Sequence, residues 1–262
     1  IGDSALGAAT TASGNTAVGS AAATAITTGS NNTTIGLDSL KTNTTGANNV
    51  AVGKQALKVN TTASNNTAVG SFALIANTTG AQNTAVGNDC MDSNTTGTQN
   101  TAMGVDALQA NTTGTLNTAI GFQAGDALTT GSQNTALGYR ALSAATTVPS
   151  QTAVGYNALV ASTSGTDNTA IGTHVLSANT TGSHNTSVGY GSLGGNTSAS
   201  DSTAVGWNAA AANTTGQENT AFGYRALVTN TTGGNNVAVG YLALRYNTGS
   251  TNTGVGTGSL AV

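Results

Sequence analysis

"NTTGAQNTAVG", residues 77–87, contains no charge, no aromatic ring and no evident nucleophile, yet close copies of it recur along the whole chain. Its last glycine marks a period. Equivalent glycines stand at Gly2, Gly19, Gly36, Gly53, Gly70, Gly87, Gly104, Gly121, Gly138, Gly155, Gly172, Gly189, Gly206, Gly223 and Gly240, each 17 residues after the last. The next, Gly256, comes one residue early because "NTTG" has shortened to "NTG" at Asn247–Gly249. A fixed short period is the mark of a repeat architecture. Asn, Thr and Gly favour turns and strands over helices, so the unit is one coil of a β-solenoid. The fold predicted is all-β: a parallel β-solenoid, or β-roll, of about fifteen 17-residue coils, forming one continuous domain over 1–262. At ~4.8 Å per coil it would make a rod on the order of 70–75 Å long.

The columns of the repeat suggest which side chains point inward. The residue before each anchor glycine is always apolar, as in Val69, Val86, Met103 and Ile120, and two residues earlier stands Thr, or Val at 50 and 237. Strand side chains alternate, so these two columns share a face. Their apolar character predicts the inner one, with the Leu four residues after the anchor packing from the opposite wall. The other strand face is small: Ala68, Gly70, Ala85, Gly87, Ala102 and Gly104 are examples. Such a stripe lets another backbone approach closely. It predicts strands that face copies of themselves across an oligomer axis, the alternative being close packing within the same coil. Asn recurs four residues before the anchor, with Gln151 and Ser202 as exceptions, and again at the start of "NTTG". Stacked amides can form ladders from coil to coil, and Asn and the "NTTG" Gly tolerate left-handed corners.

"NTAVG" followed by "xAL" resembles the head-domain repeat of trimeric autotransporter adhesins. The full phrase, such as "NTTGTQNTAMGVDAL" at 94–108, is similar to repeats of phage tail fibres. The resemblance covers essentially the whole chain and implies a left-handed roll packed as a homotrimer. It also implies an extracellular setting, on a virion tail fibre or a bacterial surface. This chain departs from the adhesin repeat in coil length and in holding Thr where Val is usual.

Composition narrows the chemistry. Only 6% of residues are charged and the net charge is −3, with six scattered cations. No basic stripe for nucleic acid exists, and no apolar run is long enough for a membrane span. The nine carboxylates and two histidines suggest no enzyme, cofactor or metal centre. Asp89 and Asp106 occupy one column in adjacent coils and would hold a cation at best. His174 and His184 read as surface residues, and Cys90, the only cysteine, as a buried stand-in for Ala. The repeated "NTT" matches a glycosylation sequon, but the repeat generates it automatically.

One column stands out. Just after the anchor, the second half of the chain reads Phe122, Tyr139, Tyr156, Thr173, Tyr190, Trp207, Tyr224 and Tyr241. Stacking would align these rings as a structural ladder, or as a strip for contact with a cell-surface glycan or host receptor. The expected role is therefore a structural, adhesive rod that associates with itself, as a homotrimer or an end-to-end filament. An ice-binding solenoid is the alternative; the Thr column, expected to face inward, argues against it.

Overall fold

The computed structural model describes residues 1–260 as a parallel β-solenoid with 17-residue turns and no helix. Two compact units divide it, Ile1–Ser132 and a second from Gln133 onward. In the first, β1 (Thr16–Val18), β2 (Thr33–Ile35), β3 (Val50–Val52), β4 (Thr67–Val69), β5 (Thr84–Val86), β6 (Thr101–Met103) and β7 (Thr118–Ile120) pair in chain order. In the second, the strands are β8 (Thr135–Leu137), β9 (Thr152–Val154), β10 (Thr169–Ile171), β11 (Thr186–Val188), β12 (Thr203–Val205), β13 (Thr220–Phe222), β14 (Val237–Val239) and β15 (Thr253–Val255). They too pair in chain order. Every pair is parallel and in register, so Thr84 sits on Thr101, Ala85 on Ala102 and Val86 on Met103.

The strands face the opposite way to the expectation. Ala68, Ala85 and Ala102 are fully buried inside the coil, and the flanking Thr and Val columns point outward, half-buried or exposed. Met103 and Ile35, for example, are 46% and 42% exposed. The lumen explains this. Leu57, Leu74, Met91 and Leu108 enter it from the opposite wall, and two amide columns enter from the corners. A strand facing so narrow a space can contribute little more than a methyl group. The small stripe is therefore an interior feature in its alanines, and close packing within the same coil accounts for them.

Its glycines serve a different contact. Gly70, Gly87 and Gly104 have φ of +141°, +149° and +137°, and an added Cβ would fall 2.1–2.4 Å from the carbonyl oxygen of the next coil's glycine. Backbone does approach closely, as expected of such a stripe, but it belongs to the neighbouring coil.

Away from the end coils, the asparagines of both columns are buried and bonded along the stack. Asn83 Oδ1 accepts from Asn100 N at 3.0 Å, and its Nδ2 donates to Gly97 O at 2.8 Å. In the second column, Asn77 Nδ2 donates to Asn60 Oδ1 at 2.9 Å, and Asn94 Nδ2 to Asn77 Oδ1 at 2.8 Å. The exceptions keep the pattern: Gln151 reaches Gly165 O with its amide, and Ser202 accepts from Asn219 N at 3.2 Å through its hydroxyl. These asparagines are not the left-handed corner residues. That conformation falls on Gln82, Gln99 and their column one residue earlier, on Asp89 and its column, and on the core leucines, such as Leu74 at φ 51°. The "NTTG" glycine is not left-handed either. Gly80 is glycine because a Cβ would meet Gly97 O at 2.3 Å and Asn77 Oδ1 at 2.5 Å.

Candidate functional site

The corner after each strand sets the ring column. The anchor glycine turns the chain at the end of the outward Val, and the next residue stands out on the surface. Tyr139, Tyr156, Tyr190, Trp207, Tyr224 and Tyr241 hold this place in the second unit and are all exposed, while Phe122 holds it in the first. The coil spacing stacks them. Tyr139 and Tyr156 have centroids 5.1 Å apart with planes 9° from parallel. Tyr190, Trp207, Tyr224 and Tyr241 continue at 6.0, 5.1 and 5.2 Å, all within 12° of parallel.

Thr173 would interrupt the ladder, but His174 closes the gap. From the next position along the chain its ring meets Tyr156 at 5.3 Å and Tyr190 at 6.3 Å, both edge-on. Sequence columns missed this, because His174 is one residue out of phase. A ring beside the only non-aromatic residue of that run was the available signal. The arrangement limits what the ladder can do. Stacked neighbours use the ring faces for one another, so the solvent meets ring edges and phenol hydroxyls more than open faces. Such a strip offers hydrogen bonds in a row.

The other candidates do not gather into a centre. Burial pushes the Asp92 carboxyl above the ordinary range, against a 2.9 Å hydrogen bond from Ser93 Oγ, with Asp89 and Asp106 adding repulsion. Among the described residues no three His, Cys, Asp or Glu side chains meet in a way that could hold a metal ion. The hydrogen bond from Lys41 Nζ, 2.9 Å from Oδ1, holds the Asp38 carboxyl low, and Lys58 adds its charge from 3.8 Å. His184 lies on an exposed corner with Asp201 at 3.2 Å and Asp167 at 3.9 Å. Cys90 is fully buried, and burial pushes its thiol up to about 12. A thiol that stays protonated is a poor nucleophile.

The described residues enclose no cavity, and none of their helices could cross a membrane, as they form none. Compared with known protein families and with the sequences of characterised proteins, the chain has no match in either.

Proposed function

We propose that the chain is a structural, adhesive rod of an extracellular fibre, in the manner of phage tail fibres or bacterial surface adhesins, which spaces or presents a receptor-binding region. The observation that carries this reading is the coil itself. Each turn satisfies its neighbour through backbone pairing and a buried amide column, joined by a second such column in coils such as those of Asn60, Asn77 and Asn94, so one more copy adds length and requires nothing else. Energetically such a chain approximates a sum of coils and coil–coil contacts. Self-association, as a homotrimer or end to end, belongs to this proposal. A threefold contact would have to use an outward surface, since the alanine stripe is interior. The ring ladder is the surface we assign to a cell-surface glycan or host receptor, through edges and hydroxyls.

The test is to insert four further copies of residues 71–87 after Gly87 and measure the particle by small-angle scattering. The maximum dimension should grow by about 19 Å, at ~4.8 Å per coil, with an unchanged cross-section. A wider particle of the same length would contradict the proposal.

A further inference from the structure

The outward strand face has a property that the rod reading does not use. In β4 to β7 the side chains of Thr67, Thr84, Thr101 and Thr118 lie on the outward face, half-buried, and their hydroxyls make no hydrogen bond to protein. The backbone of these strands is already engaged: Thr84 N donates to Asn100 O at 2.8 Å, and Thr101 N to Asn117 O at 2.8 Å. What the strip shows to water is a row of hydroxyls and methyls beside a parallel row of Val69, Val86, Met103 and Ile120.

The two rows form a grid. Successive outward positions on one strand lie ~6.6 Å apart, and successive strands ~4.8 Å apart. The register never slips between these strands, so the grid repeats without a fault. Thr is stiff at χ1, which holds each hydroxyl at a fixed place on the backbone. Side-chain ladders of the kind the two asparagine columns supply also keep a many-stranded sheet from twisting away from a plane.

Neither column carries a charge anywhere along the chain. A charged side chain would orient its water radially. Hydroxyls on a bed of methyls leave water in a cage bonded mainly to itself, anchored at regular points. The complementary partner of a neutral, regular, partly apolar grid is a neutral, regular lattice of water. From this we infer that the outward Thr/Val face of β4–β7 binds ice, its two spacings approximating the oxygen rows of a prism face. Adsorption would curve the growing front between bound molecules and lower the freezing point without moving the melting point. This activity is independent of whether the chain also serves as a fibre rod.

The test uses the full chain in a nanolitre osmometer, with its mass measured in parallel by light scattering. Three proteins are compared: the native chain; the face variant Thr84→Lys with Thr101→Lys; and a corner variant, Gln82→Lys with Gln99→Lys, at exposed left-handed positions off the face. The expected result is a gap between melting and freezing points, and faceted ice crystals, for the native chain and the corner variant. The face variant should lose the gap to the buffer value while its circular dichroism and thermal melt stay unchanged. No gap for a monodisperse native chain would overturn the inference, as would an equal gap in the face variant. It would also be overturned if the native chain were an oligomer that the face variant dissolves, because the face would then be a contact between copies. Should the face variant fail to fold, Thr84→Tyr alone provides the same comparison.

Discussion

At the scale of the residue, the anchor glycine decides whether coils can stack. Gly70 has φ +141°, and a Cβ there would stand 2.1 Å from Gly87 O. The obstacle is the backbone of the next coil, so no side chain can move aside. Gly70→Ala should destabilise the chain by ~3 kcal/mol or more, read from chemical denaturation. Gly256, at φ +111°, has nothing within 4 Å of where a Cβ would stand. Gly256→Ala should therefore cost less than half as much, and equal losses would show that backbone conformation, not the coil contact, sets the requirement. The same logic explains why the strand's phase was hard to read. Thr-x-Val and x-Ala-x are both legitimate inner faces by alternation, and hydrophobicity favours the Val. The deciding quantity is lumen width, which is set by inward side chains outside the strand itself, such as Leu74, Asn77 and Asn83.

At the scale of the element, two kinds of ladder run along the chain, and they differ in legibility. The amide columns were legible because Asn has few reasons to repeat at fixed spacing. Their bonding also explains an irregularity: the second column of the first unit ends at Asn111, whose Oδ1 is left unpartnered because Leu128 follows in the Asn place. Gly125 leaves the usual leucine site empty, and Leu128 reaches toward it, its Cδ1 3.1 Å from where a Cβ on Gly125 would stand. The ring ladder was legible as a column but not in its geometry. Whether rings present faces or edges depends on side-chain angles set by the coil spacing, and His174 joins from outside the column. Trp207 stacks on Tyr190 and Tyr224, so Trp207→Ala should cost ~1–3 kcal/mol from two lost ring pairs. Tyr241→Ala, which loses the stack on Tyr224, should cost about half of that. Denaturation midpoints check both. Two variants as stable as the native chain would mean that the rings contribute nothing to coil stacking.

At the scale of the whole molecule, the 17-residue period made the solenoid legible from one sequence, down to the register of each strand. Function is less legible, for a physical reason. Catalytic and metal sites bring together groups that differ from their surroundings, whereas in a repeat nearly every column is shared by all coils. Recognition then falls on surfaces, and surfaces depend on which face of a three-residue strand points out. The placement of Ala inside and of Thr and Val outside consequently underlies the ice-binding inference and limits which surface a self-association could use. It removes the alanine stripe as an oligomer contact and exposes the hydroxyl grid.

Thiol labelling of single cysteines along β5 tests that placement most directly. In a Cys90→Ala background, Thr84→Cys, Ala85→Cys and Val86→Cys are each exposed to a water-soluble maleimide under native conditions. The inner site should accept a thiol, since Cys90 itself occupies a fully buried position beside Met91. The structure predicts rapid labelling at 84 and 86, and protection at 85 until the chain is unfolded. Rapid labelling at 85 with protection at 84 and 86 would contradict it.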